Sequence, residues 1–161
     1  CAVLALLAAA VFAATTVEKL LPEKDAVKGW SIVQDSLQYG KGKDLTNIYN
    51  GGYELYTDNG VVDAARQMYQ KESDYVEVTI HTMKSSKAAE NFLKYWQKQN
   101  KVKSLSKTKL SSYFLLTKPN TAVYFRTGKY FTTVNAFHSG ENAKKDAMAF
   151  LGVIEKSISR L

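Results

Sequence analysis

Two stretches of this chain share one plan, and that plan constrains the fold more than any other feature. Tyr75–Met83 alternates, with Val76, Val78 and Ile80 on one side, the pattern of a strand with a buried face. Ser85 or Ser86 then offers a helix cap, and Ala88, Ala89, Phe92, Leu93, Tyr95 and Trp96 follow at helical spacing. Tyr130–Phe137 repeats the strand, Ser139 the cap, and Ala143, Ala147, Phe150, Leu151, Ile154 and Ile158 the helix. Tyr75–Trp96 and Tyr130–Leu151 are therefore two similar strand–turn–helix halves. This predicts an α+β domain, a mostly antiparallel sheet with helices packed on one face.

The remaining segments fit that plan. Lys118-Pro119-Asn120-Thr121 and Arg126-Thr127-Gly128-Lys129 read as hairpin turns between strands at Tyr113–Leu116, Val123–Phe125 and Tyr130–Phe137. Asp58-Asn59-Gly60 turns into a strand at Val61–Gln70, and residues 71–74 turn that strand into the next. Residues 17–44 read as an irregular lead-in, with Leu21-Pro22 stopping any helix, Trp30 as an anchor and Tyr39-Gly40-Lys41-Gly42 as a loop. Asp44 caps an expected helix carrying Leu45, Ile48, Tyr49, Gly52, Leu55 and Tyr56. Gly51 and Gly52 each cost such a helix about 1 kcal/mol relative to Ala. Either it breaks there, or another backbone packs closely against it.

From Ala2 to Ala14 the chain carries no charge, and small residues crowd the end of the run. A spanning helix needs roughly 20 apolar residues, so the run reads as the remnant of a secretory signal, with a processing zone at Val11-Phe12-Ala13. Residues 1–13 are then leader, residues 14–161 form one domain, and the destination is periplasmic or extracellular. Cys1 is the sole cysteine. A lipid-modified cysteine is ordinarily followed by a polar tether, whereas Ala2-Val3-Leu4 follows here, so a lipoprotein anchor is the less favoured reading. Without Cys1 the exported domain has no disulfide, thiolate ligand or thiol nucleophile.

The net charge of +7 is concentrated in one place. Residues 1–90 carry a net −3, whereas residues 91–140 hold nine basic groups and no acidic one. Within that stretch Lys101, Lys103, Lys107 and Lys109 mark a surface for an anionic partner, such as an envelope lipid or glycan surface or another envelope protein. The competing reading is a solvated lysine-rich face. Nucleic acid is not expected, because the stretch has a single Arg and base readout favours Arg. A homodimer through an exposed sheet edge is equally compatible with the sequence.

Asn50-Gly51-Gly52-Tyr53-Glu54-Leu55-Tyr56 is the most distinctive segment. Glycines let a partner approach the backbone and Glu54 supplies a charge, which makes Asn50, Gly51, Gly52, Glu54 and Tyr56 candidate ligand-binding residues. The competing reading gives the glycines to a neighbouring strand and Glu54 to a loop backbone. With Leu21-Pro22, Trp30, Leu45, Asp58, Gly60, Met83 and Ala88 around it, the segment resembles a family of bacterial exported domains of unknown function. That family carries an Asn-Gly-Gly-Ala-Glu-Leu-Tyr signature after a Leu-Pro…Trp opening. The resemblance spans roughly residues 21–155, with Tyr53 standing where the family has Ala. It implies an envelope location and a fold, and no reaction.

His81 and His138 fall at equivalent places in the two halves, without the short spacing of a metal site, so no metal is expected. No phosphate loop, nucleophile elbow or Cys–His pair is present, so neither a cofactor nor a catalytic residue is assigned. The many aromatic residues, Tyr124 and Trp96 among them, read as core and cross-strand packing. The function expected from sequence is a non-enzymatic envelope domain with a binding or assembly role through the basic surface. The alternative is a small-molecule-binding protein or enzyme with a cleft near Glu54.

Overall fold

Strand alternation and two amphipathic helices account for most of the architecture seen in the computed structural model, which describes residues 14–161. The leader, the processing zone and Cys1 lie outside the described residues. The described chain opens with a short helix α1 (Thr16–Lys19), whose Glu18 carboxylate accepts from the Thr15 backbone N–H. Strands β1 (Ser31–Ile32) and β2 (Gln38–Lys41) follow, then a 3-10 turn (Gly42–Asn47) and helix α2 (Glu54–Asp58). The hairpin β3 (Val61–Lys71) and β4 (Asp74–Met83) leads into α3 (Ser86–Gln99). Strands β5 (Ser106–Lys107), β6 (Ser111–Leu116), β7 (Thr121–Thr127) and β8 (Tyr130–Ala136) precede the final helix α4 (Gly140–Ile158).

All eight strands join one antiparallel sheet in the order β1-β3-β4-β8-β7-β6-β5, with β2 also paired to β3. The α+β class and the antiparallel sheet are as the sequence predicts. So are the two halves, each a strand, a serine at the helix N-cap position and a helix, although the Ser139 side chain makes no cap hydrogen bond. Ser85 rather than Ser86 is the cap of α3, its Oγ accepting from the Ala88 N–H at 3.0 Å. The partner strands β4 and β8 lie side by side at the centre of the sheet, with Thr79 opposite Thr133.

The helices, however, do not share one face. Val76, Val78, Ile80, Val123, Phe125 and Val134 pack with Phe150, Leu151 and Ile154 of α4, joined by Trp30 and Tyr69. Residues of opposite parity, Ala64, Met83, Phe114 and Phe131, pack with Ala88, Ala89, Phe92 and Leu93 of α3, joined by Leu45 and Ile48. Neighbours of opposite parity such as Ile80 and His81 in β4 are both fully buried. A sheet whose central strands are apolar on both sides needs a cover on each.

Two local expectations are corrected. Tyr39-Gly40-Lys41 belongs to strand β2 rather than to a loop, and a Cβ on Gly40 would stand 2.3 Å from the Asp44 carbonyl oxygen. Only glycine lets the strand run so close to the 3-10 turn that follows it. The helix expected from Asp44 to Tyr56 is broken, with Gly51 at φ +86° and Gly52 at φ +69°. These glycines are needed for their left-handed backbone. A Cβ at either position would meet no atom within 4 Å, so close packing of another backbone is not their reason. Among the described residues no helix is long and apolar enough to cross a membrane.

Candidate functional site

The face of the sheet beneath α3 changes character along its length. In register across β4 and β8 it presents His81 with Phe131, then Thr79 with Thr133, then Glu77 with Asn135. β3 adds Arg66 beside Thr79, and β7 adds Tyr124 beside Thr133. Helix α3 brings Trp96 down onto Tyr124, with ring centroids 5.9 Å apart. The glycine bend carries the chain back over the same region, so that Tyr49, before the bend, stacks on Tyr56, after it, at 3.7 Å and 15°. Tyr56 in turn lies nearly parallel to the His81 ring at 5.6 Å. Sheet, α3 and the tyrosine pair enclose a cavity of about 100 Å³.

Tyr49, His81, Arg66, Glu77 and Asn135 are each bonded or paired within the protein. His81 is completely buried, and its Nδ1–H donates to the Phe131 carbonyl at 2.9 Å. Its Nε2 is then left to accept from the Tyr49 hydroxyl. Burial pushes His81 down to about 4, so the ring is neutral at physiological pH. Burial raises the phenols of Tyr49, Tyr56 and Tyr124, so these too remain uncharged. The Arg66 guanidinium donates to the Ile48 carbonyl at 2.8 Å and to Thr79 Oγ1 at 3.2 Å. It stands 3.6 Å from the Glu77 carboxylate and covers the Tyr49 ring at 5.4 Å. Asn135 donates to the other Glu77 oxygen at 3.4 Å. The cation and the anion therefore cancel. Trp96 Nε1–H remains, buried and without an acceptor in the protein.

Of the residues that the sequence nominates, Tyr56 lines the cavity. Asn50, Gly51, Gly52 and Glu54 are exposed on the bend above it, Glu54 in the first turn of α2. The segment contributes Tyr56 and bends the chain so that Tyr56 meets Tyr49, and the carboxylate lining the cavity is Glu77 rather than Glu54. Sequence reasoning assigned no binding role to Tyr49, Arg66, Glu77 or Asn135, and gave Trp96 and Tyr124 to packing. The available signal was the alternation Glu77, Thr79, His81, a polar series at the spacing of one strand face.

His138 belongs to the other face. Its Nε2 lies 2.9 Å from Asp146 and its ring 5.9 Å from Trp30. The two histidines are thus separated by the sheet, and among the described residues no group of three or more His, Cys, Asp or Glu could hold a metal ion. Lys101, Lys103, Lys107 and Lys109 are all exposed along the segment from α3 through β5. Among the described residues none of them is in an ion pair. That segment is pinned to α4 by Glu155, which accepts from Thr108 Oγ1 and Ser111 Oγ, each at 2.7 Å. A wider groove of about 750 Å³ runs between Leu20-Leu21-Pro22 and the end of α4. Its polar rim consists of exposed chains such as Lys19 and Arg160 rather than a buried network. The smaller cavity is therefore the candidate site.

No family model and no curated protein matches the chain. Among solved structures it is similar to the extracellular domain of PknH from Mycobacterium tuberculosis, at 11% identity over 79% of this chain and 81% of that one, with a TM-score of 0.43. A likeness of that degree carries no inference about this chain's function.

Proposed function

We propose that the chain is an exported, non-enzymatic binding domain that holds a small polar ligand in the cleft between Trp96, Tyr124 and the Tyr49–Tyr56 pair. The observation that carries this reading is a cavity whose histidine and charged pair are satisfied within the protein, with one buried donor, Trp96 Nε1, left without an acceptor. Binding fits better than turnover. Both His81 nitrogens are occupied, the ring does not take a proton near neutral pH, and Glu77 is tied to Arg66 and Asn135. The apolar opening and the resemblance around Asn50–Tyr56 support a periplasmic or extracellular location. Native mass spectrometry of gently purified chain tests the reading. A discrete non-covalent adduct is expected, and it is lost in Thr133→Leu, which fills the cavity. Bare chain throughout, or an adduct indifferent to the substitution, would contradict it.

A second reading rests on a different observation, the four exposed lysines on one unbroken segment with no carboxylate paired to them. They suit an anionic envelope surface. Exposed charges are screened over roughly 8–10 Å at 0.1–0.15 M salt, so binding to phosphatidylglycerol vesicles is expected to weaken steeply with salt. Neutralising Lys101, Lys103, Lys107 and Lys109 together removes it. Salt-independent association would contradict this reading. The edge strand β5 is two residues long and contains Lys107, which disfavours dimer pairing through that edge.

A further inference from the structure

The polar strip of the cleft continues past the cavity. One row beyond Glu77 and Asn135 stand Tyr75 and Phe137, the Phe137 N–H donating to the Tyr75 carbonyl at 3.0 Å. Residues two apart on a strand share a face and lie about 7 Å apart. Tyr75 and Phe137 are 37% and 55% exposed; Tyr75 shares the strand face of Glu77 and Thr79, and Phe137 follows directly on the last residue of β8. From Thr79–Thr133 to Tyr75–Phe137 the strip runs about 14 Å.

We infer that this strip is a saccharide-binding site for a neutral glycan chain, an assignment that rests on the cleft reading above. The strip has no net charge, because Arg66 and Glu77 cancel, so an ionic ligand gains nothing there. An apolar ligand would strip water from Glu77, Asn135 and Trp96 Nε1 and give nothing in return. A sugar ring meets both demands. Its C–H faces lie flat on Tyr75 and Phe137, and its rim hydroxyls donate to Glu77 and accept from Asn135 and Arg66. The cavity of about 100 Å³ has room for about three water-sized groups. It receives one ring substituent that accepts from Trp96 Nε1, while the ring itself remains on the open strip.

Calorimetric titration of the full chain with cellotetraose and with the β-1,4 tetramer of N-acetylglucosamine tests the inference. Saturable binding of at least one is expected, unchanged by salt. Tyr75→Ala should weaken it about tenfold, and Tyr75→Phe should restore it. Tyr75 is exposed, so its replacement leaves the fold intact, which the thermal melt verifies. Absence of binding with both probes, or equal affinity in Tyr75→Ala, would overturn the assignment. A charged or apolar compound that shifts the Trp96 indole N–H resonance where both tetrasaccharides fail would overturn it too, and would leave the cleft reading standing. Failure of every compound class at Trp96 would bring down both.

Discussion

The Tyr49 hydroxyl donates to the one nitrogen of His81 that the Phe131 carbonyl leaves free. That bond joins the chain before the glycine bend to the centre of β4, and it fixes both the tautomer of the histidine and the position of the tyrosine. Tyr56 then stacks on both rings, so the wall of the cleft is set by a single buried hydrogen bond and its aromatic cover.

Removal of that hydroxyl should be felt in stability. Tyr49→Phe leaves His81 Nε2 buried without a donor, at a cost of about 1–3 kcal/mol. Urea unfolding at neutral pH measures it. A change below about 0.5 kcal/mol, the range of ordinary surface substitutions, would mean that the bond contributes nothing.

The same histidine predicts a pH dependence. Burial lowers His81 from 6.5 to about 4 in the folded chain. Between those values the unfolded chain binds a proton at this residue and the folded chain does not. Stability is therefore complete above about pH 6.5 and falls as the pH drops toward 4, by on the order of 3 kcal/mol from this group. In His81→Gln this component of the slope should vanish. An identical pH profile in the two proteins would refute the buried, neutral state of His81.

Glycines on either side of the 3-10 turn should respond differently to substitution. Gly40→Ala drives a Cβ against the Asp44 carbonyl at 2.3 Å, backbone that cannot move aside. It should cost about 1–3 kcal/mol or more. Gly51 has open space around it and needs only a left-handed backbone, which Asn tolerates, so Gly51→Asn should cost well under about 1 kcal/mol. Thermal melts of the two variants check the ranking, and the reverse order would show that the bend is sterically constrained after all.

The fold was legible in the sequence where one period ran long enough to be read. The alternation through Val76, Val78 and Ile80 and the helical spacing through Phe92 and Phe150 correspond to β4, α3 and α4. The face that each helix covers was not legible. It depends on strand parity, which becomes informative only once neighbours such as Ile80 and His81 are both known to be buried. Strand β2 was hidden because Gly40 is a turn residue by type and a close-contact residue in fact. At the cleft, the segment that stands out in the sequence supplies Tyr56 to the cavity, whereas the carboxylate lining it is Glu77. Asn50–Tyr56 stands out by composition, but its exposed Glu54 is remote in role from Glu77, which only sheet pairing brings to Asn135 and Arg66.

The cleft itself is read most directly through its tryptophan. The chain has two, Trp96 at the cavity and Trp30 in the core on the opposite face, so their indole N–H resonances form a probe and an internal control. A titration series of small neutral polar compounds and oligosaccharides, followed by proton–nitrogen correlation spectra, decides the matter. A cleft that binds a polar ligand gives saturable movement of the Trp96 signal with at least one compound while Trp30 stays fixed. A Trp96 signal that never moves, or that moves only together with Trp30, would contradict it.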